Sequence, residues 1–574
     1  MVKKIFYNSL FLTLLSLTSI VMAQKQYPIN YFSSPLHIPL YLSGTFGELR
    51  NNHLHSGVDI RTQEKEGFIV YAPANGYVSR IKVSAWGFGN ALYITHPNGY
   101  VTVYGHLKAF NPAIIAYLRK IQYEKESFEQ DLAIPKYKIR IKKGDTIAVT
   151  GNTGGSEGPH LHYEIRDEKT EKPINPLLFG LKVEDTLLPI IQSIKIYTED
   201  VLHDKVLEVK KKDHLFSLKS IDTLLVPAKF SLGIATYDVI SNTTSKKGIY
   251  QLELYVDTLL YYQHTLETFS FTESRYINCL INYPDFIKTG VKYQQTKILP
   301  GNKLSLYNKH INNGWIELKD NLVHKLRYNV LDVNGNCSEL VFYVKKDSSM
   351  QKIPLSPLPI IDSNLLISYN KIDTFCTEEV KVKFPAEALY EDILMKYASY
   401  PAPSKYYSKF HEIHNIYTPL HKNISLSIKT DTVADSLQSK LLIVRIKDDN
   451  SIIAEGGKYE NGFIKTNINN FGKFAVLIDT IAPTIKPLNF KDKTNISKLK
   501  TLEIKITDNL SGITKYKATL NDKWILMEFD GKNNLLTYTI DNKILEGSNL
   551  LKVVVEDSRQ NVSELSFELI KKVP

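Results

Sequence analysis

Two histidines stand two residues apart at the end of a glycine-rich stretch, residues 151–165, Gly-Asn-Thr-Gly-Gly-Ser-Glu-Gly-Pro-His-Leu-His-Tyr-Glu-Ile. Side chains alternate in direction along a strand, so His160, His162 and Glu164 would share one face while the intervening apolar residues turn into a core. The glycines and Pro159 are typical of a loop, which would deliver the histidines to a surface cleft. The alternative is a strand whose polar residues simply face water.

A second cluster offers the remaining ligands of a metal site. His55 and Asp59 are four residues apart in His-Ser-Gly-Val-Asp. Catalytic zinc typically takes three protein ligands from histidine and carboxylate and keeps its fourth position for water. Imidazole and carboxylate suit zinc, and no cysteine precedes Cys279 to close the site with thiolates. We therefore predict a Zn²⁺ ion held by His55, Asp59 and His162.

Two further histidines are candidates for proton transfer. His160 lies beside the predicted zinc site without being needed as a ligand. His106, in Tyr-Gly-His-Leu, ends a strand-like run in which Tyr100, Thr102 and Tyr104 have the same parity. The reference pKa of histidine, about 6.5, allows both side chains to take up and release a proton near neutral pH.

Three motifs follow one another in the N-terminal third of the chain. They are His55-x-Gly-x-Asp59, Tyr104-x-His106-Leu107, and Gly151-Asn-Thr-Gly154 followed by Gly158-Pro-His-Leu-His162. In this order they resemble the motifs of the lysostaphin and LytM-like zinc metallopeptidases, metallopeptidase family twenty-three, over roughly residues 40–180. The resemblance implies that His55, Asp59 and His162 are the zinc ligands and that His106 and His160 act on the attacking water and the oxyanion. No motif position is substituted.

The resemblance also implies a reaction, hydrolysis of peptide bonds in the stem peptides or cross-links of bacterial peptidoglycan. Bound zinc lowers the pKa of water from near 15.7 to about 7 and polarises the scissile carbonyl. No glutamate follows either histidine cluster in the zincin arrangement, so we expect His106 or His160 to take the proton. The sequence leaves open which of the two does so. It also leaves open whether an interpeptide glycine bond or a D-alanyl-diaminopimelate bond is cut.

The first 23 residues have the layout of a cleavable secretory signal. Lys3 and Lys4 precede an apolar run at about 10–21, and the small Ala23 stands at the cleavage position. The run is too short for a comfortable membrane span, and no cysteine follows it to carry a lipid anchor. We predict an exported protein of the periplasm, cell envelope or extracellular space, with no stable transmembrane segment after cleavage. The alternative is an uncleaved membrane anchor.

The net charge indicates an anionic partner. Loss of Lys3 and Lys4 with the signal would lower the formal charge from +11 to +9. A charge of this size suits cell-wall polymer, a membrane surface or nucleic acid, and export removes most of the case for nucleic acid. The three cysteines, Cys279, Cys337 and Cys376, are too few for a disulfide framework, although one pair is open to them.

The length of 574 residues predicts three to four domains. Short β-like runs separated by turn signals fill the N-terminal region, and strand patterns continue to the C-terminus. We predict a mostly β protein with a signal peptide at 1–23, an antiparallel β zinc metallopeptidase domain with an inserted helix at 24–180, an immunoglobulin-like β domain at 181–345, a middle β domain at 346–478 and another immunoglobulin-like β domain at 479–574. Envelope proteins are candidate partners of the C-terminal β domains.

The inserted helix is predicted within residues 111–130. Asn111 suits the N-cap and Pro112 the first turn, and isoleucine and leucine recur at helical spacing from Ile114 to Ile121. The insertion follows the strand end that carries His106. Two roles are open: the helix walls the cleft and restricts which peptides enter, or it packs away from the cleft.

The two immunoglobulin-like regions repeat a motif. Residues 332–340, Asp-Val-Asn-Gly-Asn-Cys-Ser-Glu-Leu, match residues 557–565, Asp-Ser-Arg-Gln-Asn-Val-Ser-Glu-Leu, and the starts at Asp185 and Asp479 are also similar. Aspartate and asparagine often bond the backbone of their own turn, which predicts a structural role. Calcium binding is the alternative, and we favour structure because neither turn has the carboxylate count of a calcium loop.

Two rival functions fit the same sequence. One is a non-catalytic peptidoglycan-binding or hydrolase-activating envelope protein, against which the intact set of five candidate residues argues. The other is a structural envelope or adhesion protein in which the β domains do the work and the peptidase is vestigial.

Overall fold

The computed structural model describes residues 27–199, 204–212, 215–219, 223–241, 245–347, 349–350 and 365–572. The predicted signal peptide lies outside the described residues, as does most of the linker that opens the middle region. Strands dominate the described residues, so the predicted mostly β class is confirmed. No described helix is both long and apolar enough to cross a membrane.

The N-terminal domain contains two larger sheets around one core and a third sheet of two short strands. Its elements are β1 (Leu42–Gly44), β2 (Leu49–Arg50), β3 (His53–Leu54), β4 (Val58–Arg61), β5 (Ile69–Tyr71), β6 (Gly76–Val83), β7 (Ala91–Thr95), β8 (Tyr100–Gly105), β9 (Leu107–Phe110), α1 (Pro112–Glu124), β10 (Gln130–Ala133), β11 (Arg140–Ile141), β12 (Thr146–Thr150), β13 (His160–Asp167) and β14 (Pro173–Ile174). The main sheet runs β1-β4-β13-β8-β7-β6-β10, with β11 beside β6 and β14 beside β13. The second sheet is β5-β12-β9.

Strand β13 is central to the site because one of its faces packs in the core and the other carries the histidines. Leu161, Tyr163 and Ile165 are buried in the apolar core shared by the two sheets. The alternation of the strand therefore turns His160, His162 and Glu164 to the other face, as the sequence pattern predicts.

Helix α1 begins where the sequence predicts and ends earlier than the predicted segment. The side chain of Asn111 caps it by accepting from the Ile114 N–H at 2.9 Å, and Pro112 occupies the first turn. Its apolar face, including Ile114 and Leu118, joins the domain core. The helix ends at Glu124.

The next region, to residue 346, is a β-sandwich with short helices. Its elements are β15 (Ile190–Thr198), β16 (Lys205–Lys212), β17 (Leu215–Leu218), β18 (Thr223–Val226), β19 (Lys229–Tyr237), β20 (Gln251–Val256), β21 (Leu259–Thr265), α2 (Ile277–Leu280), α3 (Tyr283–Thr289), β22 (Gln294–Gln295), β23 (Tyr307–His310), β24 (Ile316–Glu317), β25 (Val323–Leu331) and β26 (Cys337–Lys346). We call it the first sandwich. Apolar side chains from α2 and from the loop before it meet Phe46 and Leu54 of the N-terminal domain in one buried cluster.

The middle region has two larger facing sheets, β28-β29-β33-β37-β36 and β31-β32-β38-β34-β35, and a two-stranded sheet, β27-β30. Its elements are β27 (Leu366–Ile367), β28 (Asp373–Cys376), β29 (Val380–Phe384), β30 (Ile393–Leu394), β31 (Tyr397–Tyr400), β32 (Phe410–Ile413), β33 (Ile424–Lys429), α4 (Asp435–Gln438), β34 (Leu441–Ile446), β35 (Ile452–Gly456), β36 (Lys458–Glu460), β37 (Phe463–Ile468) and β38 (Gly472–Ile478). Residues of both sheets, among them Val382 and Val476, share one apolar core.

The last sandwich pairs the sheets β39-β41-β45-β44 and β40-β47-β46-β42-β43. Its strands are β39 (Thr484–Pro487), β40 (Thr494–Asn495), β41 (Thr501–Thr507), β42 (Ile513–Leu520), β43 (Lys523–Trp524), β44 (Glu528–Asp530), β45 (Leu535–Thr539), β46 (Gly547–Asp557) and β47 (Val562–Lys571). The predicted domain boundaries stay predictions. All three cysteines are unpaired.

The last sandwich packs back onto the N-terminal domain. Arg119 of α1 forms an ion pair with Glu528, and the ring of Tyr123 meets that of Trp524 at 5.1 Å between centroids. Lys532 donates to the backbone carbonyls of Asn152 and Ser156 in the glycine-rich loop. The chain therefore brings its C-terminal strands beside the loop that precedes the two histidines.

Candidate metal centre

Strands β4 and β13 hold the candidate ligands opposite each other. The two strands pair antiparallel, with Asp59 directly across from His162. Gly57 permits this close approach, because a Cβ atom there would lie 2.4 Å from the carbonyl oxygen of Tyr163. The glycine of the His-x-Gly-x-Asp motif is thus explained by packing of β4 against β13.

The three predicted ligands meet at one point. His55 Nε2 lies 3.1 Å from Asp59 Oδ1 and 3.1 Å from His162 Nδ1, and the latter two atoms are 2.8 Å apart. A tetrahedral zinc ion with bonds of ~2.0–2.1 Å separates its ligand atoms by about 3.3 Å. The spacing of the three donor atoms therefore fits a single ion.

Hydrogen bonds on the far side of each ring direct a nitrogen lone pair to this point. His55 Nδ1 donates to the carbonyl of Thr45 at 2.7 Å, which leaves Nε2 as the free acceptor. His162 Nε2 donates to Glu164 Oε1 at 2.9 Å, which leaves Nδ1. Metal-binding histidines are commonly oriented in this way by a carbonyl or a carboxylate.

The electrostatics of the cluster favour a positive charge at its centre. Burial by itself would raise the pKa of Asp59, but the three neighbouring histidines hold it well below its usual value. Burial likewise opposes protonation of His162, yet its hydrogen bonds to Asp59 and Glu164 raise its pKa to about 9. A site that draws a proton this strongly is suited to a cation.

Glu164 is a functional residue to which the sequence analysis gave no role. It is fully buried and accepts from His162, from Ser56 Oγ at 2.5 Å and from Arg166 Nε at 2.5 Å. Burial opposes its ionisation, but Arg166 and His162 outweigh burial and lower its pKa to about 2. The sequence feature that could have indicated this role is the position of Glu164, two residues after His162 on the same face of a strand.

Arg50 is a second residue that the motifs did not indicate. Its Nη2 atom lies 2.5 Å from Asp59 Oδ2, the carboxylate oxygen that faces away from the two histidines. Arg50 sits on β2, and no sequence spacing links it to Asp59.

His106 lies beside the ligands in a left-handed backbone conformation, with φ of 58°. The backbone N–H of His106 donates to the carbonyl of Phe88, and the ring Nδ1 donates to the carbonyl of Thr153, both at 2.8 Å. The pKa of His106 falls to about 3, first through burial and then through His162 and His160. At neutral pH its ring is therefore uncharged, and the Nε2 lone pair can accept a hydrogen bond.

His160 completes the group. Its Nδ1 donates to the carbonyl of Gly158 at 2.8 Å, and its Nε2 lies 3.4 Å from Asp59 Oδ1. The rings of His106 and His160 are 4.7 Å apart between centroids. The fold thus brings all five predicted residues together.

An open cleft of about 800 Å³ gives access to the cluster. The residues that line it come from β1, β2, β4, the segment after β4, His106 and the glycine-rich loop: Ser43, Glu48, Arg50, Asp59, Arg61, Gln63, Glu64, His106 and residues 155–160. No residue of helix α1 lines the cleft in the part of the chain that the structure describes. Its contacts with the last sandwich favour a packing role for the helix over a role in walling the cleft.

His96 follows β7 and lies outside the cluster of five residues. It is buried, with Nδ1 bonded to the carbonyl of Asn75 and Nε2 to Thr102 Oγ1, both at 2.8 Å. Burial lowers its pKa to about 4. A neutral histidine with both nitrogens engaged has a structural role.

A family model described as peptidase family M23 matches residues 53–120 and 131–176. The matched segments contain all five residues of the cluster. The N-terminal domain belongs to peptidase family M23. The predicted resemblance is confirmed, and the match is interrupted at residues 121–130, which cover the end of α1 and the turn after it.

Curated relatives are similar to this chain over a limited stretch. The DD-carboxypeptidase/endopeptidase Mpg of Neisseria meningitidis serogroup B is 34% identical over 128 residues, which are 22% of this chain and 23% of that protein. The peptidoglycan DD-endopeptidase ShyC of Vibrio cholerae is 33% identical over 99 residues, 17% of either chain. The chain thus spans about a quarter or less of the length of these relatives. The catalytic domain of lysostaphin from Staphylococcus simulans is 21% identical, covers 24% of this chain and 91% of that domain, and gives a TM-score of 0.19.

A second family model, described as a Zu5-like domain, matches residues 364–479. This range corresponds to the middle region, for which the sequence analysis predicted a β domain without a family. The middle region has no cluster of motif residues comparable to those of the M23 domain, so nothing in its spacing indicated this relationship.

Proposed function

We propose that this protein is a zinc-dependent endopeptidase that hydrolyses peptide bonds in the stem peptides or cross-links of peptidoglycan. The observation that carries the proposal is the convergence of three lone-pair atoms, on His55, Asp59 and His162, within 3.1 Å of one another at an open cleft. Two imidazoles and one carboxylate are a donor set typical of catalytic zinc. The names of the M23 relatives, two of them peptidoglycan or DD-endopeptidases, support the class of substrate.

The chain's own residues divide the work around the zinc ion, which supplies a Lewis acid and lowers the pKa of water when it is bound. His106 and His160 flank the ligands and hold their Nδ1 protons in hydrogen bonds to backbone carbonyls. Their Nε2 atoms can therefore take a proton from the attacking water and return it to the leaving amine. Glu164 fixes the ring of His162 so that Nδ1 faces the metal position.

We further propose that the protein works outside the cytoplasm. The predicted secretory signal at residues 1–23 supports this location, and peptidoglycan lies there. The positive charge of the chain, +9 after loss of Lys3 and Lys4, is compatible with an anionic wall polymer.

A defined cross-linked muropeptide dimer tests the proposal. Zinc-loaded protein should release monomers, a chelator should stop release, and added zinc should restore it. His55→Ala should be inactive, whereas His53→Ala, an exposed histidine two residues away, should remain active. If zinc-loaded protein sediments with purified sacculi but cuts neither sacculi nor dimers, the non-catalytic binding function replaces the enzyme.

A further inference from the structure

Three aspartates converge where the first sandwich joins the M23 domain. Asp185 precedes β15, Asp238 follows β19 and Asp332 follows β25. One carboxylate oxygen from each lies within 4.8 Å of the others. The three residues are up to about 150 positions apart in sequence and are brought together only by the fold. The group offers oxygen donors alone, since it contains no histidine or cysteine.

Asp238 is the member of this triad that the protein itself does not satisfy. Its side chain is 3% exposed, and its Oδ1 has no hydrogen-bond partner among the described residues. Asp332 accepts from the backbone N–H groups of Asn334 and Asn336, and Asp185 accepts from that of Leu187. A buried carboxylate oxygen without a partner is costly and points to a missing ligand.

The charges around Asp238 also point to a missing positive ligand. Burial, followed by the negative charges of Asp332 and Asp185, raises the pKa of Asp238 to about 7. Lys247, also buried, pairs with Asp238 through backbone hydrogen bonds, but its ammonium group donates to Ser245. The negative charge of the triad is thus left without an ion pair among the described residues.

A small cavity lies at the triad. Its volume is about 20 Å³, and Asp185 and Asp238 line it together with Thr45 and Asn175 of the M23 domain. A water molecule needs roughly 10–15 Å³ by this kind of measure, so there is room for one small species. The cavity is bounded by both domains.

The last sandwich repeats the arrangement. Asp479, Asp508 and Asp557 form a triad within the same 4.8 Å limit. The spacing Asp238-x-x-Ser241 recurs as Asp508-x-x-Ser511, and Asp332-x-x-x-Asn336 recurs as Asp557-x-x-x-Asn561. Asp508 Oδ1 also lacks a partner among the described residues.

The repeated triad also lies at a domain junction. Arg559, two residues after Asp557, donates to the backbone carbonyls of Leu441 and Gly457 in the middle region. The same three-carboxylate arrangement therefore stands at two places where a sandwich meets the domain before it.

We propose that Asp185, Asp238 and Asp332 bind a calcium ion that fixes the first sandwich to the M23 domain. Carboxylate oxygens without nitrogen or sulfur donors suit hard divalent cations. Calcium accepts irregular sets of six to eight oxygens from carboxylates, carbonyls and water, whereas magnesium demands near-octahedral geometry. Neither motif turn offers enough carboxylates by itself, and tertiary structure supplies the other two.

Calcium titration of the full-length protein, freed of calcium on a chelating resin, tests the site. The Asp508→Asn variant serves as background, because it removes a carboxylate from the second triad. In that background the chain should bind calcium at the first triad, and adding Asp238→Asn should abolish binding. Adding Asp320→Asn, an exposed aspartate of the same sandwich, or His55→Ala at the zinc site should leave binding unchanged.

Thermal unfolding separates a lost site from a lost fold. Calcium should raise the Tm of the Asp508→Asn background and leave the Tm of Asp238→Asn/Asp508→Asn unchanged. Without calcium, the second protein should melt no lower than the first, because the substitution removes a buried charge. Three results would each overturn the proposal. The first is no calcium binding in the background up to about 10 mM, well above the Kd of ~10⁻⁴–10⁻³ M of weak extracellular calcium modules. The others are calcium binding that survives Asp238→Asn, and saturation of the site by magnesium but not by calcium.

Discussion

His162 Nε2 donates a hydrogen bond to the fully buried carboxylate of Glu164 at 2.9 Å. This bond fixes the ring so that Nδ1 faces His55 and Asp59. We expect Glu164→Gln to weaken zinc binding by about 10–100-fold, because a neutral amide holds the imidazole less firmly and supports its basicity less. Competition with a chelator of known affinity measures the change. Glu168→Gln, at an exposed turn after β13, is the control, and equal zinc affinity in both variants would contradict the role of Glu164.

Variants of the predicted ligands should lose zinc, whereas variants of the two flanking histidines should keep it. His55→Ala and Asp59→Ala remove a donor atom from the cluster, so we expect loss of zinc together with activity. His160→Ala and His106→Ala should retain one zinc per chain and lose about 10²–10⁴-fold in kcat, the usual contribution of a positioned acid or base. Elemental analysis of purified protein and turnover of a muropeptide dimer give the two readouts. Loss of zinc from all four variants would refute this division.

Lys532 connects the last sandwich to the glycine-rich loop. Its ammonium group donates to the carbonyls of Asn152 and Ser156, and Gly531 beside it packs so closely on Trp86 that an added Cβ would lie 2.6 Å from the indole. Lys532→Met should free the loop and lower kcat/KM by roughly 10–100-fold, because small displacements of a positioned group are costly in rate. Zinc content should not change.

The matched control for this prediction is Lys505→Met, an exposed lysine on β41 of the same sandwich. Limited proteolysis provides an independent readout, since residues 151–159 should be cut faster in Lys532→Met than in either the control or the unmodified protein. Identical kcat/KM and identical cleavage in the two variants would show that the last sandwich does not brace the loop.

The N-cap of α1 should affect stability without affecting catalysis. Asn111→Ala removes the acceptor of the Ile114 N–H and should lower the free energy of unfolding of the M23 domain by about 0.5–2 kcal/mol. Asn111→Asp keeps an N-cap acceptor and should lose much less. The unfolding transition that shifts on zinc addition identifies this domain in a thermal scan. A fall in kcat with an unchanged transition would instead support a gating role for the helix.

Local patterns in the sequence determined several features of this protein. The period-two alternation around His162 and the His-x-Gly-x-Asp spacing indicated the three candidate ligands that the fold brings together, because neighbours on one strand or one turn are constrained by backbone geometry alone. Asn111, Pro112 and the apolar spacing after them likewise located the start of α1.

Other features depended on contacts between distant parts of the chain. Arg50 beside Asp59, Lys532 on the glycine-rich loop and Asp238 between Asp185 and Asp332 have no shared sequence spacing, so no periodicity could indicate them. The packing side of α1 was also decided in this way, by Glu528 and Trp524 some 400 residues later. Sequence fixes which groups a strand or helix presents, whereas their partners are set by how separate domains pack together.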